Sequence, residues 1–249
     1  MARLASKRAL VTGGGSGIGA TVALALAEAG ASVTICGRRR HQLDEIAARH
    51  KSIQTQTADV TDQKTIAQLY GRGPFDIVVA NAGGADSAPA EKISAELWSN
   101  TLAVNLTGAF FSVQPALAHM RAQKWGRIVF VASTAGIRAA PYIAPYVAAK
   151  HGVIGLMRTL ALETAKDGIT VNAVCPSYTE TPMLEQAVAR IVATTKRSAE
   201  QARATLAARN PQGRFITPNE VADTVLWLCG EGSRSITGQA ISLSGGETW

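Results

Sequence analysis

The sequence predicts an α/β fold built on one doubly wound, mostly parallel sheet with helices on both faces. Two observations predict it. Short β-branched runs alternate with longer helical stretches along the whole chain, and a glycine-rich turn follows the first of these runs and opens a helix. The candidate strands are Arg8–Thr12, Val33–Cys36, Ile53–Thr57, Phe75–Ala80, Arg127–Ala132, Ile169–Cys175 and Ala240–Leu243.

Helical patterns between successive strands mean βαβ units, and right-handed crossovers then give a Rossmann-type order with ligands outside the carboxyl ends of the strands. A long helical run extends from about Ala95 to Ala122, where Pro115 predicts a kink or a break. The stretch 182–210, rich in Ala, Thr, Arg and Gln, lies between two strands and reads as a helical insertion covering the site. No repeat or linker divides the chain, so residues 1–249 are expected to form a single domain.

With 47% hydrophobic and 17% charged residues in a chain of 249, the composition is globular and excludes disorder. The formal charge of +7 favours anionic partners, among them nucleotide phosphates and acyl-thioester carriers. Arg38-Arg39-Arg40 is too short a basic run to argue for nucleic acid. The amino terminus reaches a strand-like run at once without the apolar segment of a signal peptide, and no stretch approaches the length of a membrane span. Cys36, Cys175 and Cys229 show neither metal-ligand spacing nor an even disulfide count, which fits a reducing cytoplasmic compartment. His41, His50 and His119 show no ligand spacing either, and no metal site is expected.

The turn Thr12-Gly-Gly-Gly-Ser-Gly-Ile-Gly19 stands between a strand and a helix, where glycines let a pyrophosphate approach backbone N–H groups. Gly13, Ser16, Gly17, Ile18 and Gly19 are the candidate contacts, although the spacing differs from the plain G-x-G-x-x-G pattern. At the end of the second strand, where a carboxylate would hold a ribose hydroxyl, Val33–Arg40 contains no acid and instead offers Arg38 and Arg39. Guanidinium pairs with a 2′-phosphate, so NADP(H) is preferred, with NAD(H) remaining possible. The alternative is that both arginines merely begin the next helix in solvent.

Tyr146 and Lys150 are spaced i,i+4 in a helix-compatible run, which places phenol and ammonium on one face. A cation there favours the phenolate and is expected to bring the phenol nearer working pH. Ser133 closes the fifth strand, thirteen positions ahead of Tyr146, where its hydroxyl can reach a carbonyl oxygen.

The ordered set of glycine turn, Asn81-Ala82-Gly83, Asn105, Ser133, Tyr146 and Lys150 resembles the short-chain dehydrogenase/reductase family over nearly the whole chain. The resemblance implies that Ser133 polarises the carbonyl, Tyr146 exchanges its proton, Lys150 also binds the nicotinamide ribose and Asn105 supports a proton relay. It further implies adenine contacts at Asp59 and Val60 and a carboxamide loop from Pro176 to Thr181. Two positions depart from the family pattern: Ala80 stands where a second asparagine is usual, and Ser177 replaces the glycine of a Pro-Gly pair.

Ala144–Val153, Asn172–Pro176 and Thr179–Met183 are similar to ketoreductases of polyketide or 3-oxoacyl thioesters. The leading expectation is NADPH-dependent reduction of a ketone, with a 3-oxoacyl thioester as one candidate. The alternatives are an NAD-dependent alcohol or hydroxyacyl dehydrogenase and, from another class, a nucleotide-sensing protein without turnover. Arg190, Lys196, Arg197, Arg203 and Arg209 either meet the phosphates of such a thioester or form a solvated face. Family resemblance also implies a homo-oligomer, tetramer or dimer. His151 and Trp227 are read as packing or surface residues, Trp227 on an amphipathic packing face, and Trp249 is not assigned to the site.

Overall fold

The structure, a computed structural model, describes residues 4–248, so Trp249 lies outside the described residues. Seven strands form one sheet: β1 (Arg8–Thr12), β2 (Ser32–Gly37), β3 (Ile53–Thr57), β4 (Ile77–Ala80), β5 (Gly126–Val131), β6 (Ile169–Pro176) and β7 (Ala240–Leu243). Their order is β3-β2-β1-β4-β5-β6-β7, and every pairing is parallel. The doubly wound expectation holds, with β1, β3 and β7 at the predicted bounds. The fourth strand is shorter than predicted: Phe75 is buried but precedes it, its ring packed edge-on against Tyr70 at 5.2 Å.

Side-chain alternation divides the core. Ala9 and Val11 of β1 and Val129 and Val131 of β5 face one layer, packed against α1 (Gly17–Glu28), α2 (Arg40–Ala47) and α10 (Pro218–Cys229). Leu10, Ile128 and Phe130 face the other, with α3 (Gln63–Tyr70), α5 (Gly108–Val113), α6 (Leu117–Gln123) and α7 (Ala144–Thr164). Strands buried on both faces have no polar side to write, which is why they read as continuous apolar runs.

The predicted long helix is several pieces laid end to end. Helix α4 (Ala95–Leu102) passes through a π turn at Ala103–Thr107 into α5, and Pro115 sits in a 3₁₀ turn at Gln114–Ala116 before α6. Pro115 marks the break that was expected; the π turn has no proline or glycine pair to announce it.

The insertion folds as α8 (Pro182–Thr194) and α9 (Ala199–Ala207), joined by a small core of Leu184, Val188, Ala202 and Leu206 separate from the two layers. Trp227 corrects its sequence reading. The buried stripe of α10 is Val221, Ala222, Val225, Leu228 and Cys229, and Trp227 falls on the opposite side at 47% exposure.

The chain changes direction across the sheet between β1 and β4, and one hydroxyl joins their ends. Thr12 Oγ1 accepts from the backbone N–H groups of Asn81 and Ala82, each at 3.0 Å. Asn81 Nδ2 returns hydrogen bonds to the carbonyls of Thr12 and Gly13 at 2.9 and 3.2 Å. The fit requires glycine on the other side, since a Cβ at Gly19 would stand 2.4 Å from both Asn81 Nδ2 and the Gly13 carbonyl. Thr12→Val keeps the shape and strands two buried donors, so it is expected to lower unfolding stability by about 1–3 kcal/mol in urea denaturation, whereas Thr12→Ser stays near the parent.

Candidate active site

A cavity of about 1080 Å³ opens outside the carboxyl ends of the strands. Its floor at one end is the glycine turn. Ser16 caps α1 in extended conformation with its hydroxyl unused by the cap, and Gly17 follows in the left-handed region at φ 53°. Gly13, Ser16, Gly17 and Ile18 line the cavity, while Gly19 stands behind it in the joint with Asn81. First-turn backbone N–H groups lacking helical partners, beside glycines that keep side chains away, suit a pyrophosphate.

Arg38 and Arg39 are exposed on the cavity wall after β2, with Arg39 capping α2. Their neighbour Arg40 pairs with Asp44 at 2.8 Å away from the cavity. Asp59 and Val60 line the same end. Asp59 accepts from the Thr61 N–H at 2.9 Å and the Thr61 hydroxyl at 2.8 Å. These bonds, with a smaller contribution from the Arg38 charge, hold its carboxyl below the usual range.

Asn81, Ala82 and Gly83 form the middle of the wall. Asn105, 2% exposed, does not line the cavity and lies one layer behind it in the π turn. Its Nδ2 donates to the carbonyls of Gly84 and Thr101 at 2.9 Å, and its Oδ1 accepts from the Gly84 N–H at 3.2 Å. A Cβ at Gly83 would come within 2.7 Å of that oxygen, so the two residues fit only as a pair.

Ser133, Tyr146 and Lys150 meet at the far end. Ser133 ends the β5 segment in extended conformation and accepts from the Ala135 N–H at 3.1 Å. Pro145 in the first turn of α7 sets the start of that helix, placing Tyr146 and Lys150 one turn apart. Lys150 is 4% exposed, and its ammonium donates to the Val131 carbonyl at 2.9 Å and lies 5.5 Å from the Tyr146 ring centroid.

Burial pushes the Tyr146 phenol up to about 12, with the Ser133 hydroxyl pulling it the other way. Burial also pushes Lys150 down to about 8. The expectation that Lys150 would draw the phenol toward neutral pH is therefore corrected. Both groups are desolvated, and the ammonium is directed at a carbonyl, so the cost of charge outweighs the pairing. The phenol is held as an acid.

The loop Pro176–Thr181 closes this end through hydrogen bonds from Thr179 Oγ1 to the Ser177 carbonyl (3.0 Å) and from Thr181 Oγ1 to the Thr179 carbonyl (3.1 Å). Pro176 and Thr181 both line the cavity, and Met183, Ala187 and Ile191 of α8 form an apolar roof. Of the five basic residues noted in the insertion, Arg190, Arg197 and Arg209 reach the cavity. Arg190 is held by Asp86 at 2.6 Å, and Arg203 is turned to Glu185. His151 hydrogen-bonds the Val147 carbonyl on the exposed side of α7.

Two features escaped sequence reading. Thr12 was written within the glycine turn, but its joining of two strands depends on β4, sixty-nine residues away. Glu247, from the tail after β7, borders the cavity and hydrogen-bonds Ser177. The substituted glycine at Ser177 was its only trace in the sequence. Among the described residues, no group of three or more His, Cys, Asp or Glu lies placed to hold a metal, and no helix is long and apolar enough to cross a membrane.

The short chain dehydrogenase family model matches residues 7–192. D-beta-hydroxybutyrate dehydrogenase of Rhizobium meliloti is 36% identical, covering 98% of this chain and 99% of that protein. The 3-oxoacyl-acyl-carrier-protein reductase of Thermotoga maritima is 36% identical over 98% of each chain. Among solved structures, an actinorhodin polyketide ketoreductase variant with NADPH superposes with a TM-score of 0.93 at 37% identity, covering 99% of both chains.

Lys150 carries a stability test. Its pKa is about 8 in the fold against an ordinary 10.5, so between these values the unfolded chain holds one more proton and stability rises with pH. Below about 8 the buried ammonium opposes folding. Relative to Lys150→Met, which cannot titrate, the parent is expected to gain about 1–3 kcal/mol in urea denaturation between pH 7 and pH 10. A constant difference between the two proteins would show that the ammonium is not penalised.

Proposed function

The chain belongs to the short-chain dehydrogenase family, and from that premise we propose that it reduces a ketone with NADPH, the ketone being the 3-oxo group of an acyl thioester. It is an oxidoreductase of hydroxyl and keto groups by membership. The finer reading is supported by one arrangement: the Tyr146 phenol, the Ser133 hydroxyl and the Lys150 ammonium share a cavity whose opposite end is a glycine turn flanked by two arginines.

The turn suits a dinucleotide because Gly13 and Gly17 line the cavity in left-handed conformations with no side chain between the backbone and a phosphate. Ser16, Gly17 and Ile18 would hold the pyrophosphate, Arg38 with Arg39 the 2′-phosphate, and Asp59 with Val60 the adenine. Asn81, Ala82 and Gly83 would line the ribose path, with Pro176 and Thr181 at the carboxamide. Bound NADPH supplies the hydride for the carbonyl carbon.

Tyr146 Oη would deliver a proton to the carbonyl oxygen as negative charge grows there, and Ser133 would donate a hydrogen bond to the same oxygen. Lys150, tethered to Val131, would hold the ribose and place positive charge near the phenol during the transfer. Asn105 would keep the backbone at Gly84 in position for a relay of protons from solvent.

Arg197 and Arg209 at the mouth suit a phosphorylated thioester tail. The helical insertion would serve as the lid, and a homo-oligomer in a reducing cytoplasm completes the reading. A second reading is an NAD-dependent alcohol or hydroxyacyl dehydrogenase; the R. meliloti relative, named for oxidation of D-beta-hydroxybutyrate, favours the oxidative direction, and a comparison of KM for the two cofactors tests the cofactor.

The direct test is NADPH oxidation with acetoacetyl-CoA and simple ketones. Tyr146→Phe is expected to abolish turnover while cofactor affinity, read by fluorescence, stays near the parent; activity within about tenfold would overturn the assignment. Arg38→Asp removes a phosphate partner and adds repulsion, so the NADPH-to-NADH ratio of kcat/KM is expected to fall by about tenfold or more. An unchanged ratio, or a parent that prefers NADH, would return Arg38 to the solvent.

A further inference from the structure

The tail after β7 brings a carboxylate to the cavity. Glu247 has a side chain only 6% exposed, yet it borders the same cavity as Ser133 and Tyr146. Its Oε2 accepts a hydrogen bond from the Ser177 hydroxyl. Arg138 reaches it from the other side, with Nη1 at 3.6 Å from Oε1 and donating to the Glu247 carbonyl at 3.3 Å.

These two partners belong to the two loops beside the reaction end. Ser177 starts the loop after β6, and Arg138 ends the turn after β5 that begins with Ser133. The tail itself is fixed: Glu247 N–H donates to the Ser244 carbonyl at 3.2 Å, Thr248 hydroxyl bonds Ser242, and Ser177 N–H donates to the Leu243 carbonyl at 3.0 Å. One carboxylate thus ties both loops to the last strand.

Desolvating a carboxylate costs several kcal/mol unless it is paired and hydrogen-bonded, and here both requirements are met by those loops. Ser177 explains the need. It stands where the family pattern has glycine, and its hydroxyl has to go somewhere. Glu247 takes it onto the tail and away from the cavity interior.

We propose that Glu247 is a positioning residue that fixes the cofactor-side loop through Ser177 and the Ser133 loop through Arg138. It anchors that loop from the tail after β7. This rests on reading the cavity as a nicotinamide-binding site, but not on the identity of the ketone.

The test therefore begins without substrate, by titrating NADPH fluorescence in the whole protein with melting temperature followed in parallel. NADPH binding by the parent establishes the site independently of the tether; no binding would overturn the cofactor reading, and this proposal with it. Glu247→Ala is expected to raise the NADPH Kd by about threefold to tenfold, the range of one lost buried hydrogen bond. Glu247→Gln, which retains an acceptor for Ser177, should recover most of that loss, a rescue that bulk packing alone would not depend on.

Ser177→Gly closes a cycle. If Glu247 acts through the hydroxyl, adding Glu247→Ala to Ser177→Gly weakens NADPH binding less than Glu247→Ala does in the parent. An unchanged Kd in Glu247→Ala, a Gln variant no better than Ala at equal melting temperature, or fully additive effects in the cycle would overturn the proposal.

Discussion

The Thr12 hydroxyl is the point on which the molecule turns. Strand β4 enters the sheet on the side of β1 away from β2, so the crossovers on either side of β1 leave from opposite faces and a crevice opens at their carboxyl ends. A crevice between parallel strand ends exposes backbone donors with no ladder partner. Thr12 satisfies two of them with one oxygen, and Asn81 satisfies two carbonyls with one amide. The glycine turn then has to bend around this joint. The same glycines that would let a phosphate approach are thus needed by the fold.

The other end of the cavity is governed by burial. Lys150 and Tyr146 are each held in the neutral-favouring direction by loss of water, although they sit one helical turn apart. A fold selected for stability alone would place an apolar residue at position 150, whose ammonium has one carbonyl for company. Two displaced titrations thus meet in one cavity at a cost to stability, a combination that makes it the candidate site on physical grounds.

How far the sequence could be read follows from the range of each signal. The central strands β4, β5 and β6 were legible because burial on both faces removes polar residues from consecutive positions, whereas the edge strands β3 and β7, only partly buried, were bounded correctly from their place between helical stretches. Ser133, Tyr146 and Lys150 were legible because their spacing is local to one strand end and one helix. Asn105 was found, but its place behind Gly83 was not, since a π turn is a change in backbone hydrogen bonding that apolar periodicity does not report. Trp227 misled for the complementary reason: an aromatic among apolar neighbours suggests packing, yet helical phase puts it outside. Glu247 was invisible because its partners lie 70 and 109 positions away in the chain.

The separate core of α8 and α9 has a consequence for how such a molecule can diversify. Leu184, Val188, Ala202 and Leu206 pack on one another and on Tyr178 and Phe215, not on the two layers that sandwich the sheet. Residues such as Met183, Ala187 and Ile191 face the cavity from this small unit. Changes of size or polarity there reshape the roof while leaving the main cores and the Thr12 joint untouched. The fold therefore keeps two ledgers of constraint, a strict one around the strand ends and a lenient one overhead, and new specificities can be written in the second without erasing the first.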